Sequence, residues 1–220
     1  MRRIHRWDIA RYLLVAPISY VGYLIAVKTL RYSNGDTREG LLIAKQAYLE
    51  APGYLWSFYV HAFVSVLVLV LGLLQFWPRI YRWRPVWHRW IGRSYVLLVL
   101  LISAPAALWM SRFANGGYPS ELAFGLQALL WWGTTALGWW WACKRNWSAH
   151  LKLMLYSYAL ALGAVSLRIL AYVTPLLIET YPTETYIGNA WLSWVGNLLV
   201  LEVLLALGLQ RHLQQRFFQG

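Results

Sequence analysis

The sequence predicts an all-α fold, a polytopic membrane helical bundle of about six transmembrane helices with both termini cytoplasmic. Three observations predict it. Hydrophobic residues make up 60% of the chain and charged residues 13%, against roughly 45–50% and about 25% in soluble domains, so a water-facing surface cannot be covered. Six stretches are each long enough to cross an apolar core of about 30 Å at about 1.5 Å per helical residue. Runs such as 64–74 lack the period-two alternation of a membrane β-strand, which excludes a closed barrel.

The expected spans are 9–30, 55–77, 94–113, 121–143, 151–178 and 189–209. The first follows a basic start, Met1 to Trp7, but it continues for about 20 apolar residues with no A-x-A-like site after it, which predicts a retained helix and not a signal peptide. The longest connection, 31–54, carries the turn signal Asn34-Gly35-Asp36 and then 37–49, which suits a short interfacial helix. A cap over a cavity and an unspecialised loop both fit it. Pro105 and Pro175 are expected to kink the third and fifth spans, with neighbours satisfying the freed carbonyls. Ala159 and Gly163, four apart, form a small-residue face for close helix approach. Trp131-Trp132 and Trp139-Trp140-Trp141 read as belt and packing residues, in keeping with 15 Trp and 15 Tyr in the chain. Asn115-Gly116-Gly117 and Tyr181-Pro182 mark the remaining turns on the long-loop side. With no internal repeat or linker, 1–220 is one transmembrane domain.

Charge sets the expected orientation. Arg2, Arg3, Arg6, Arg11, Arg79, Arg82, Arg84, Arg89, Arg93, Lys144, Arg145, Lys152, Arg211 and Arg216 fall on one side of the spans. Lys28, Arg31, Arg38, Lys45 and Arg112 fall on the other. Basic residues hold the cytoplasmic side, so the first side is inside, as in a multi-pass protein of a bacterial inner (plasma) membrane. The net charge of +12 therefore points to topology and to anionic membrane lipids, and away from nucleic acid. Cys143 is the single cysteine, which excludes an intrachain disulfide and any cysteine-based cluster.

Ionisable groups inside a span cost roughly 2.5–3.5 kcal/mol on insertion scales and are functional candidates for that reason. Helical rise puts His61 and Gln127 about 9 Å below the outer helix ends and Arg168 about 15 Å below. These three are the ligand-binding candidates: Arg168 to hold an anion or a quinone-like carbonyl, His61 to move a proton or ligate a metal, Gln127 to orient the bound group. Interhelical glue is the competing reading. Glu179, Glu184 and Glu121 are the carboxylates within reach of Arg168. Toward the inner side, Gln75 ends the second helix, His88 and His150 open the third and fifth, and Glu202 sits about 10 Å above the inner end of the sixth. His88 and His150 are candidate ligands for haem b or a metal. His5 and His212 lie in terminal segments and read as solvated. No G-x-S-x-G, H-E-x-x-H or P-loop motif occurs.

A His in the second span, Gln75 followed by Arg79, the segment His88-Arg89-Trp90-Ile91-Gly92-Arg93-Ser94-Tyr95, a Trp-rich fourth span with Gln127, and then His150 and Arg168 together resemble a prokaryotic family of predicted membrane proteins, domain of unknown function 2306. The resemblance covers about 54–172 and is most specific in the His-Arg-x-x-Gly-Arg-x-Tyr segment. It implies a membrane-embedded bundle and no particular activity. Where such proteins often carry an Arg soon after the His opening the fifth helix, this sequence has Lys152 and Tyr156. A looser resemblance is to transmembrane b-type cytochromes. Three functions follow as expectations: a redox-linked or small-ligand-binding protein using haem b or a quinone-type ligand; a small-solute or lipid transporter without a cofactor; and an accessory subunit packing its Trp-rich faces against membrane protein partners.

Overall fold

The computed structural model describes residues 6–77, 80, 84–179 and 181–218, with side chains from 15 to 216 within those limits. His5, Arg2, Arg3, Arg79 and Arg82 lie outside the described residues, as do the side chains of Arg6 and Arg11. Among the described residues, six long helices and a shorter seventh follow one another: α1 Arg6–Leu30, α2 Tyr54–Gln75, α3 Pro85–Ser111, α4 Tyr118–Cys143, α5 Trp147–Leu177, α6 Pro182–Ala206 and α7 Leu209–Phe218. Among the described residues there is no strand. Four of these helices, α2, α3, α5 and α6, are long and apolar enough to cross a membrane. The end of the bundle carrying residues 31–53 is here called upper, and the end where α2 meets α3 is called lower.

Each long helix begins before its expected start, and the two largest differences are set by proline. Pro85 and Pro182 each occupy a first-turn position, where the missing N–H costs nothing and the fixed φ favours helix. α3 thus opens nine residues before the expected 94, and α6 opens seven before 189. At the other end α6 stops at Ala206, and Gly208 at φ +91 lets the chain turn into the separate amphipathic α7.

α4 packs along the first half of α5 and the upper half of α3, while α2 packs on α3 and α6 on both halves of α5. α1 lies mainly on α2 and touches the second half of α5 only lightly. The main core holds Val68, Leu69, Tyr95, Val99, Trp131, Tyr158, Leu160 and Trp194. A second cluster, Leu42, Tyr54 and Phe58, sits beneath the upper loop.

Two interruptions shape the interior. Residues 99–103 of α3 form a π turn, in which Ala104 N–H reaches back to Val99 O. In that register the next acceptor is Leu100 O, and Pro105 has no N–H to give it. Trp132 Nε1 donates to Leu100 O instead, at 3.0 Å. α5 breaks at Leu162 between Trp147–Ala161 and Gly163–Leu177. Near the break, Leu160 O accepts from Gln127 Nε2 at 3.0 Å and Ala159 O accepts from Asn197 Nδ2 at 3.1 Å. Buried carbonyls need such partners in an apolar medium, so side chains of α4 and α6 hold the break open.

Candidate functional site

The upper half of the bundle encloses a cavity of about 260 Å³ that draws its walls from α1 to α6 and its roof from the loop after α1. His61, Gln127 and Arg168 all line it. The roof is a 3-10 helix, Gly40–Tyr48. On such a helix positions three apart eclipse, so Leu42 and Lys45 share the inward face; they are 0% and 4% exposed. Gly40 allows the roof to close: its φ is +54, and a Cβ there would stand 2.3 Å from Tyr32 Oη, which accepts from Leu41 N.

Three groups give the upper part of the cavity its electrostatic character. Lys45 Nζ donates to Phe113 O and Asn115 Oδ1, and burial pushes its pKa below the ordinary lysine value. Arg168 Nη1 donates to Ala164 O at 2.8 Å, one turn back on its own helix. Among the described residues no carboxylate pairs with Arg168, and the cavity lining contains neither Asp nor Glu. The expected partners Glu179, Glu184 and Glu121 are not drawn to it. Tyr54 is 1% exposed, its hydroxyl finds no hydrogen-bond partner, and it too faces this cavity.

His61 Nδ1 lies 3.0 Å from Ser103 O. A carbonyl only accepts, so Nδ1 carries the proton and Nε2 keeps the lone pair. Ser65 Oγ stands 2.7 Å from Ser103 Oγ and 3.4 Å from His61 Nε2. Ser103 is supplied by the π turn, a distortion frequent at functional sites. Gln127 spends one amide N–H on Leu160 O, so its second N–H and its Oε1 remain for other partners. Gly163 makes room for that amide: a Cβ there would lie 2.3 Å from Gln127 Nε2. The small-residue face read in the sequence is therefore, at Gly163, a seat for Gln127.

The lower half holds a second cavity of about 500 Å³, lined by Gln75, His88, Arg89, Arg93, Tyr95 and His150 among others. His150 Nδ1 lies 2.9 Å from Gly138 O, which by the same reasoning leaves Nε2 with its lone pair. Gln75 Nε2 donates to His88 O at 3.1 Å and so ties the end of α2 to the start of α3. Glu202 stands apart from this cavity, exposed on α6 and accepting from Tyr156 Oη. Among the described residues no three His, Cys, Asp or Glu side chains cluster as a metal site.

Between the cavities runs a septum of Trp131, Tyr95, Ser157 and Thr135, all buried. Thr135 Oγ1 donates to Trp131 O at 2.7 Å, and Ser157 Oγ lies 2.7 Å from Thr135 Oγ1. With the threonine proton committed, Ser157 must donate to Thr135 and accept from Tyr95 Oη, 2.8 Å away. Trp131 Nε1 reaches Tyr95 Oη at 3.5 Å. The circuit starts at the indole of Trp131 and ends on its own carbonyl. It fixes the wall between the cavities and offers no open end to a proton.

Long apolar helices, buried polar contacts between them and a side-chain cavity in each half of the bundle define a multi-pass membrane protein. The chain belongs to the family described as Predicted membrane protein (DUF2306), whose model matches residues 58–205. The match thus runs through α6, beyond the 54–172 segment that carries the resemblance in sequence. No curated protein and no solved structure matches the chain.

Proposed function

We propose that this membrane protein binds a small ligand with an anionic or quinone-like carbonyl group in its upper cavity. Arg168 holds the negative end, His61 exchanges a proton through Nε2, and Gln127 orients the bound group. The observation that carries this reading is a guanidinium on a membrane-spanning helix that lines a cavity without a carboxylate partner among the described residues. Arg168 is exposed, and a cation on an apolar span is costly unless paired, so the site calls for an acceptor from outside the chain. The test is binding of benzoate and of a short-chain benzoquinone to purified protein in nanodiscs. At least tenfold weaker binding to Arg168→Gln, with Arg168→Lys intermediate, is expected for one or both probes. Equal binding of both probes to wild type and Arg168→Gln overturns the reading.

A second reading concerns the lower cavity, where His88 and His150 face one space large enough for a prosthetic group. The hydrogen bond from His150 Nδ1 to Gly138 O supports it, because a metal-ligating imidazole commonly has its other nitrogen fixed in this way. His88 and His150 would hold a haem b there, which would supply one-electron chemistry, and Arg89 and Arg93 would suit its carboxylates. An absorption spectrum with metal analysis on native solubilised protein decides the matter. A Soret band lost in His88→Ala or His150→Ala is expected, and colourless, metal-free protein removes this reading.

The same account makes α1 and α4 the fifth and sixth spans, since their 25 and 26 residues reach about 37 and 39 Å at helical rise. The basic residues then put both termini in the cytoplasm of a bacterial inner membrane. Partner subunits and a solute pathway draw no comparable support, while contact with lipid follows from the apolar helix faces.

A further inference from the structure

The upper cavity is small for its surroundings. At about 260 Å³ it falls below the range of roughly 300–1,000 Å³ common for drug-sized ligands. Among its polar groups Lys45, Tyr54 Oη and Arg168 are cations or donors and His61 Nε2 and Gln127 Oε1 are acceptors, while its floor is apolar, formed by Val68, Leu69 and Leu160. Such a lining suits one compact oxyanion next to a short hydrocarbon segment.

The side wall toward α1 is thin. Ile25 and Thr29 of α1 and Arg168 of α5 line the cavity, yet these two helices touch only lightly. One turn beyond Arg168, Tyr172 is 67% exposed on the outside of the bundle. Lys28 Nζ donates to Tyr172 Oη at 3.1 Å and lies over the same ring, so one polar contact spans the seam between α1 and α5. The roof, by contrast, sets the buried Lys45 over the cavity, with Leu41 beside it.

We propose that the upper site takes the carboxylate or phosphate-monoester head of a membrane-dissolved amphiphile, which enters sideways through the seam between α1 and α5 and leaves its chain in the bilayer. This rests on the anion reading of the upper cavity and adds the ligand class and its route. The head reaches Arg168 first and Lys45 and Tyr54 deeper in, while the Lys28–Tyr172 contact latches the seam behind it.

The experiment measures binding of radiolabelled laurate and of dodecyl phosphate to the full chain in phosphatidylcholine nanodiscs, with acetate, inorganic phosphate and neutral dodecanol as competitors. The chain-bearing anions are expected to bind at least tenfold tighter than the bare anions, with dodecanol not competing and Arg168→Gln reducing their binding at least tenfold. Lys28→Ala and Tyr172→Phe, which lie at the seam, are expected to speed association threefold or more. In a Cys143→Ser background, joining Lys28→Cys to Tyr172→Cys with a short bis-maleimide is expected to slow association at least tenfold. Bare anions binding as tightly as the chain-bearing ones, with the same dependence on Arg168, overturn this inference and leave the anion site standing. Association indifferent to the seam variants and to the cross-link overturns the lateral route. No Arg168-dependent binding of any anion overturns both the inference and the reading beneath it.

Discussion

At the scale of single residues, Lys45 and the septum hydroxyls carry the clearest consequences. Burial lowers the Lys45 pKa from its ordinary 10.5, so the folded chain holds that proton less tightly than the unfolded one. Stability therefore rises with pH from the lowered folded value up to about 10.4, the unfolded value, and is flat in this term below the window. Lys45→Met is expected to lose that rise, which thermal unfolding of wild type and variant across pH 7 to 11 measures by difference. In the septum, Ser157→Ala removes an acceptor from Tyr95 and a donor from Thr135, and a loss of about 1–3 kcal/mol is expected from the orphaned Tyr95 hydroxyl. Tyr95→Phe, whose contact with Trp131 is already long at 3.5 Å, is expected to cost less; denaturation in detergent compares them. His61, Gln127 and Arg168 were legible in the sequence because polar groups within an apolar run stand out by their cost. Lys45 was not, because a lysine in a loop reads as hydrated, and only the three-residue spacing from Leu42 on a 3-10 turn hints at burial. Tyr54 and Ser103 were hidden for the opposite reason, being ordinary members of helices.

At the scale of elements, the six long helices were legible from hydropathy and length, while their interruptions were not. The break at Leu162 follows no proline; it is sustained by amides from α4 and α6, which no local pattern reveals. Gly163→Ala tests it directly. The added Cβ would stand 2.3 Å from Gln127 Nε2, so the amide must leave Leu160 O, and a loss of about 1–3 kcal/mol is expected for the unsatisfied carbonyl. Gln127→Ala removes the obstacle and the bond together, so the double variant should be clearly less destabilised than the sum of the singles. Simple additivity would show that the two residues do not meet. The proline at 105 was foreseen as a kink with its freed carbonyl satisfied by a neighbour. The π turn that selects Leu100 O for Trp132 came from the register of α3 as a whole.

At the scale of the molecule, two cavities lie one above the other, separated by a hydrogen-bonded aromatic wall. With six spans, as proposed, the roof loop and the end of α4 face opposite sides of the membrane. Cys143 is exposed at the lower end, so an impermeant maleimide is expected to label Asp36→Cys from outside intact cells and Cys143 only after permeabilisation. Arg168, which lines the upper cavity without a carboxylate partner among the described residues, is what gives the arrangement its functional meaning. The most direct test is native mass spectrometry of the protein released from its own membrane in mild detergent. Wild type is expected to carry a stoichiometric small anion that Arg168→Gln lacks and His88→Ala retains. Wild type flying without adducts, or an adduct equally abundant in Arg168→Gln, contradicts the account.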